Sequence, residues 1–135
     1  MSFTSEIERF VKVVNDRTAR AKAVIAGDLL RAIVHASPVD TGQFKANWRV
    51  SLNATTRASI KSFDKGGQST ISAGLEVIGR AKPTDRVYIG NNLPYARRIE
   101  YGWSQQAPYG VVRVQVARLQ GIVTSAVRAA REQVK

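Results

Sequence analysis

One long amphipathic helix accounts for the first quarter of the sequence. From about Ser5, apolar side chains recur at spacings of three, four and seven with charged side chains between them, which indicates a helix with one buried face. Ser37-Pro38 ends the pattern, since proline cannot continue a helix. About 30 residues at roughly 1.5 Å each span about 45 Å, whereas a compact domain of this length has a radius of gyration of about 14 Å. The helix therefore either breaks near Gly27-Asp28 or projects beyond its own domain, where another subunit buries part of its apolar face.

Two short strands are predicted to pair in a small antiparallel sheet. They cover residues 48–53 and 86–90, where apolar and polar side chains alternate. The alternation before the first strand begins at Phe44. Phe44 and Trp48 are also four residues apart, so this part could equally form one helical turn.

The segment between the two strands is predicted to contain a loop and a short helix. Residues 54–69 are polar, include Gly66-Gly67 and have weak periodicity, which indicates a mobile loop with a little strand around Ile60. In residues 70–80 the apolar positions fall on one helical face, which predicts the short middle helix.

A second long helix is predicted from Val112 nearly to the C-terminus, because apolar residues again recur at three and four. Its many β-branched residues lower its intrinsic helix propensity, so packing must hold it. The sequence thus predicts an α+β fold in which two long helices, N- and C-terminal, pack with a small antiparallel sheet and a short middle helix. A chain of 135 residues is expected to form a single domain, residues 1–135.

Composition limits the kinds of partner. Hydrophobic residues make up 44% and charged residues 23%, as in folded soluble proteins, and no apolar run approaches the roughly 20 residues that span a bilayer. We therefore expect no membrane contact and synthesis in the cytoplasm. The net charge of +11 indicates either a nearby polyanion or an acidic protein neighbour. No helix-turn-helix or zinc-finger spacing accompanies the charge, so sequence-specific DNA reading is not expected.

The sequence offers no recognisable catalytic or metal-binding constellation. There are no cysteines and the single His35 cannot build a zinc site alone. The candidate carboxylates lie in separate segments, with nothing in the sequence to pair them as acid and base; they are Asp40, Glu76, Asp85 and Glu100. We predict a protein that is not an enzyme and has no catalytic residue, cofactor or metal. Asp40, Thr41 and Gly42 are interpreted as a structural turn, with capping side chains followed by a flexible glycine.

Residues 91–112 form the most distinctive stretch, which reads as a surface of fixed shape. Pro94 fixes the direction in which the chain enters Tyr95, and Tyr95 and Ile99 allow one short helical turn that Gly102 ends. Pro108 stands where a following helix would take its first residue. A turn-rich connector whose aromatic residues merely pack on the core is an equally good interpretation from composition alone.

Four short motifs in a fixed order resemble the neck and tail-completion family of tailed bacteriophages. They are a V-D-T-G turn, an N-N-x-P-Y-A turn, an aromatic-rimmed E-Y-G and an S-x-Q-A-P-x-G before the last helix. In this sequence they occupy Val39 to Gly42, Asn91 to Ala96, Glu100 to Gly102 and Ser104 to Gly110. Together with their flanks they cover about 40 residues, and both long helices match the family in placement only. Val111-Val112 departs conservatively from the Gly-Met-Val expected there.

The resemblance implies a non-enzymatic structural protein of the virion neck or tail, made in the host bacterial cytoplasm. It would assemble into a homo-oligomeric ring, a hexamer or dodecamer, with DNA passing through the lumen without sequence specificity. Its partners would be other connector, tail-terminator or tail-tube proteins. The residues expected to form the structured interface are Tyr95, Glu100, Tyr101, Trp103 and Pro108. The alternative is a small basic protein that binds DNA non-specifically, motivated by the +11 charge.

Overall fold

Helices dominate the computed structural model, which describes residues 3–133 and adds one two-stranded sheet to them. In chain order the elements are α1 (Phe3–Ala36), α2 (Gln43–Ala46), β1 (Trp48–Leu52), α3 (Gln68–Gly79), β2 (Val87–Asn91), α4 (Ala96–Glu100), α5 (Val112–Ala117) and α6 (Leu119–Gln133). The predicted α+β class, with its long N-terminal helix, antiparallel sheet and short middle helix, is confirmed. No helix within residues 3–133 is long and apolar enough to cross a membrane.

Helix α1 is continuous over 34 residues and spans about 50 Å. Of the two alternatives for this helix, the break near Gly27-Asp28 is excluded, since α1 runs through it. Gly27 is buried against α3, where its missing side chain leaves room for Leu75. The C-terminal half of α1 is the central element of the core, and Leu30 and Val34 there are fully buried. In the N-terminal half several apolar residues are exposed; Phe10, for example, is 69% exposed. The long helix therefore projects from the core of its own subunit.

The two predicted strands pair as expected, within one residue of the predicted limits. Strands β1 and β2 are antiparallel, with Trp48 opposite Asn91 and Leu52 opposite Val87. One face of this ribbon packs on α3, which in turn packs on α1. The open question before β1 is answered by α2, since residues 43–46 form one helical turn and the strand starts at Trp48.

A glycine allows the closest approach of the three elements that build the core. Gly74 of α3 faces Leu30 of α1 and Val50 of β1. A β-carbon at this position would lie 2.9 Å from Val50 Cγ2 and still closer to Leu30 Cδ2. Because interiors are close-packed, these distances leave no room for a side chain. The core thus depends on a small residue in the middle of a helix, where glycine is otherwise unfavourable.

The segment between β1 and α3 is irregular, as predicted, and polar side chains hold it to the core. The little strand expected around Ile60 is absent. In its place the buried side chain of Asn47 acts as a strand partner: its Nδ2 donates to Ile60 O (3.0 Å), and its Oδ1 accepts from Ile60 N (2.8 Å). The Asp64 carboxylate accepts from the backbone N–H groups of Gly67 (3.0 Å) and Thr70 (2.9 Å) at the start of α3.

The second long helix is present as two segments, α5 and α6, which Arg118 separates. At the break the N–H of Arg118 donates to Gln115 O (3.1 Å), a tighter i to i−3 bond than a regular helix has. Helix α6 then packs along α1, with Ala126 and Ala130 buried.

Candidate interaction surface

An exposed group of aromatic and arginine side chains lies on α4, the turn that follows it and the start of α5. We call this group the aromatic-arginine surface; it consists of Arg97, Arg98, Tyr101, Trp103, Tyr109 and Arg113. Tyr101 is 61% exposed, Trp103 72% and Tyr109 79%. Large aromatic side chains with this much exposure are unusual on a protein that works alone, and they are the residue types that anchor protein interfaces.

Arginine side chains stack on two of the three aromatic rings. The guanidinium carbon of Arg98 lies 5.0 Å from the Trp103 ring centroid. Arg113 and Arg97 lie 5.0 Å and 5.8 Å from the Tyr101 centroid. Such cation-π contacts contribute about 0.5–1 kcal/mol each at exposed sites. They restrict the rotamers of the aromatic side chains, so a partner that binds them loses less conformational entropy.

The backbone beneath the surface is closed by two glycines in the left-handed region. Gly102, with φ 91°, ends α4 as predicted, and a β-carbon there would lie 2.5 Å from Pro108 O. Gly110, with φ 89°, passes so close to the backbone of Glu100 that it too has no room for a side chain. Only glycine adopts this conformation without strain. The turn between residues 101 and 111 therefore has one well-defined shape.

The carboxylate of Glu100 is bonded within its own subunit. It accepts hydrogen bonds from the backbone N–H groups of Val111 (2.9 Å), Val112 (2.8 Å) and Arg113 (2.8 Å), and also from Arg113 Nε (3.2 Å). These groups begin α5, where N–H donors have no partner within the helix. Partial burial raises the pKa of Glu100, but the three backbone donors and Arg113 outweigh it, and the net pKa lies below the ordinary 4.5. Glu100 thus fixes the far end of the turn to α4.

Replacing Glu100 with Gln is expected to destabilise the protein by about 2 kcal/mol at pH 7, since charge-assisted hydrogen bonds are lost. Because the folded-state pKa is lowered, the stabilisation is fully present above the unfolded pKa and is lost as pH falls through the folded one. Urea unfolding of both proteins between pH 7 and pH 2 should give curves that converge in acid. Asp64 and Asp85, whose pKa values are also lowered, affect both proteins equally. A constant difference at all pH values would contradict the assignment.

The turn at Asp40, Thr41 and Gly42 shares a cleft with Ser104 and Gln106 of the turn after α4. Gly42 has φ 89°, and its carbonyl accepts from the N–H groups of Ala46 (3.1 Å) and Asp64 (3.0 Å). Thr41 Oγ1 accepts from Gln43 N (3.2 Å). The Asp40 side chain is exposed and does not cap α2, contrary to the capping interpretation. The turn is therefore built by Gly42 and Thr41, and the Asp40 carboxylate is left facing solvent.

Gln106 clamps the aromatic turn to the Asp40 segment. Its Oε1 accepts from Val39 N (3.0 Å), and its Nε2 donates to Val39 O (3.1 Å), although the two residues are 67 positions apart. An open cleft of about 420 Å³ lies between the two segments. Its walls are formed by Pro38, Val39, Asp40, Thr41, Gly42, Gln43, Phe44, Tyr95, Ile99, Ser104 and Gln106. The structure thus brings the V-D-T-G turn next to the S-x-Q-A-P-x-G motif, although the two are far apart in the sequence.

The five predicted interface residues have different environments. Tyr101 and Trp103 are exposed on the surface itself, and Pro108 is exposed within the turn. Tyr95 is partly covered, with its hydroxyl 3.4 Å from Gln43 Oε1 and its ring 6.2 Å from Phe44, and Glu100 is turned inward. The expectation that Pro108 begins a helix is wrong, since α5 starts at Val112, where Glu100 supplies the cap.

Sequence reasoning missed two contributors to the site. The clamp by Gln106 falls within the S-x-Q-A-P-x-G motif, which was the available signal, and the stacking of Arg98 on Trp103 has no sequence signal beyond its spacing. Two of the carboxylates considered for catalysis have structural hydrogen bonds: Glu100 accepts from the start of α5, and Asp85 accepts from Asn53 and Lys82. Within residues 3–133 no group of three or more His, Asp or Glu side chains is placed to hold a metal ion.

Comparison with known protein families identifies the family of this chain. Residues 2–102, about three quarters of the sequence, match the family model described as "Bacteriophage HK97-gp10, putative tail-component". The chain belongs to the HK97-gp10-like family. Membership confirms the resemblance at the level of a bacteriophage tail component, and hence of a virion protein. The match spans α1 to α4 and ends at Gly102, so the family model does not cover Trp103 or the helices beyond it. No curated protein and no solved structure gives a significant match.

Proposed function

We propose that this HK97-gp10-like protein is a non-enzymatic ring component of the phage neck that completes the tail or connects it to the head. The observation that carries the proposal is the aromatic-arginine surface, with its three exposed aromatic rings. The turn that presents them is fixed by contacts of Glu100, Gly102, Gly110 and Gln106. A rigid, exposed set of Trp, Tyr and Arg has the composition of a binding hot spot. In a family of tail components, the natural partner of such a surface is another structural protein.

A homo-oligomeric ring, a hexamer or dodecamer, fits the shape of the subunit. The exposed half of α1 and the aromatic-arginine surface are different patches of one chain, and unlike patches that meet in head-to-tail fashion close into a ring when the rotation allows it. Other connector, tail-terminator and tail-tube proteins would stack on the two faces of the ring. The net charge of +11 suits a lumen through which DNA passes without sequence-specific contact.

Trp103→Ala and Tyr101→Ala are each expected to weaken assembly by about 2 kcal/mol per contact, roughly 30-fold in association, and to leave the subunit folded. Sedimentation velocity and native mass spectrometry across protein concentration and salt measure the ring, and thermal unfolding reports the fold. Phe63→Ala is the matched control, because Phe63 is a 63% exposed aromatic residue in the loop before α3, outside the surface. Wild-type-like rings from both surface variants would refute an interface role for the two aromatic residues.

The oligomeric state, measured together with affinity for duplex DNA, distinguishes the alternative function, non-specific DNA binding. Arg118, Arg128 and Arg131 are exposed on the α5 and α6 region and could neutralise phosphates. A protein that stays monomeric and binds duplex DNA with an affinity that falls steeply with salt would favour that alternative. Rings whose lumen binds DNA only weakly would favour the connector.

A further inference from the structure

A second unpartnered patch lies on the N-terminal half of α1. Ile7, Phe10, Val11 and Val14 are spaced as one helical stripe, and each is between 44% and 69% exposed. At about 100° per residue, the stripe lies on a different side of α1 from the fully buried Leu30 and Val34. It is therefore an exposed apolar patch that is separate from the core of the subunit.

The stripe borders a groove that suits an aromatic ring. An open groove of about 500 Å³ lies between α1 and the turn before β2, and Ile7, Val11 and Pro83 supply its apolar walls. The turn is fixed to α1, because Lys22 Nζ donates to Pro83 O (2.9 Å) and to the carbonyl of Asp85. A groove with fixed walls can receive a side chain without a loss of its own conformational freedom.

Two carboxylates near the start of the stripe can pair with arginines of the aromatic-arginine surface. Glu6 and Glu8 lie about 100° to either side of Ile7 around the helix, so the start of the stripe has carboxylates on both flanks. In a chain of net charge +11, the described part of α1 up to Arg17 is neutral: Glu6, Glu8 and Asp16 balance Arg9, Lys12 and Arg17. The aromatic-arginine surface has three arginines, and its neighbouring carboxylate, Glu100, is already bonded to α5.

We propose that the apolar stripe of α1 in one copy docks on the aromatic-arginine surface of the next copy, with Trp103 in the Ile7-Val11-Pro83 groove and the arginines beside Glu6 and Glu8. This contact deepens the ring proposed above and rests on it. Opposite charges and matched apolar groups favour this heterologous pairing over contact between two copies of the basic surface, which would place arginines against arginines.

Two variants that each damage one side of the contact test the proposal. Phe10→Asp damages the stripe and keeps the aromatic-arginine surface, whereas Trp103→Ala does the reverse; both side chains are strongly exposed, so both variants should fold. We expect each variant alone to be monomeric at concentrations at which the wild type forms rings. An equimolar mixture should form one-to-one dimers and no rings, because only one intact contact can be made between the two. Native mass spectrometry resolves the two chains by mass.

The outcomes separate this contact from the ring itself. Dimers of Trp103→Ala alone would indicate pairing of two α1 helices, and assembly of Phe10→Asp alone would indicate pairing through the aromatic rings; either result overturns the proposed contact and leaves the ring standing. A wild-type protein that stays monomeric at every concentration and salt overturns both. The double variant Glu6→Lys/Glu8→Lys should weaken association about 10-fold at low salt, and unchanged association would overturn the charge pairing.

Discussion

Leu30→Ala and Gly74→Ala are each expected to destabilise the protein, and the two substitutions together should cost clearly less than their sum. Leu30 is fully buried, so truncation to alanine should cost about 2–5 kcal/mol. Gly74→Ala forces a methyl group against Leu30 and Val50, which should cost about 1–3 kcal/mol, partly offset by the better helix propensity of alanine. In the double variant the new methyl group occupies part of the space that Leu30 vacates.

A double-mutant cycle from urea unfolding measures this coupling, which we expect to be about 1–2 kcal/mol in favour of the double variant. Gly79→Ala is the matched control, because Gly79 ends the same helix and a β-carbon there would meet no atom within 4 Å. Leu30→Ala and Gly79→Ala should therefore be additive. Additivity of Leu30→Ala with Gly74→Ala would mean that α3 does not approach α1 as closely as described.

Asn47→Ala should destabilise the protein by about 2–4 kcal/mol and release the loop before α3. Asn47 is fully buried, and its amide is the partner of both backbone groups of Ile60 and of Gln43 O (2.8 Å). Alanine leaves a cavity and removes these bonds, and each buried polar group left unpaired costs about 1–3 kcal/mol. Hydrogen exchange of the Ile60 amide should accelerate far more than that of amides in β1.

Asn92→Ala is the comparison for Asn47→Ala. Asn92 also ties the same loop, through Thr56 O (3.0 Å) and Thr56 Oγ1 (2.8 Å), but it is only partly buried, so water can replace the lost bonds. Its substitution should cost about 1 kcal/mol or less. Equal effects of the two substitutions would show that the burial of Asn47 contributes nothing.

The elements of the fold could be predicted where periodicity was strong. The apolar spacing of α1, the alternation of β1 and β2 and the face of α3 each identify an element within a few residues of its observed limits. The break at Arg118 could not be predicted, since the apolar spacing continues through it and only backbone hydrogen bonding interrupts the helix. In the alternation that begins at Phe44, Asn47 occupies a polar position, which predicts an exposed side chain. It is buried instead, because α2 places it at a helix end that faces the loop.

The candidate site could be predicted in its residue types and only partly in its geometry. Tyr101 and Trp103 are exposed as an interface requires, whereas Glu100 has a capping role that depends on α5, a partner more than ten residues away in the sequence. Likewise, the Gln106 clamp depends on a contact with Val39 that no local pattern encodes. Two expectations stay predictions: that the chain forms one domain, and that an interface includes Tyr95, Glu100, Tyr101, Trp103 and Pro108.

The clamp between Gln106 and Val39 also determines when the aromatic-arginine surface can form. Bringing together segments 67 residues apart costs several kcal/mol of chain entropy, and two hydrogen bonds return only about 1–3 kcal/mol. The clamp can therefore close only after α1, the sheet and α3 have already brought the two segments together. The turn is then among the last parts of the subunit to reach its final shape, so an incompletely folded chain does not present it. Under the proposed function, a subunit would therefore gain its assembly surface only once it has folded.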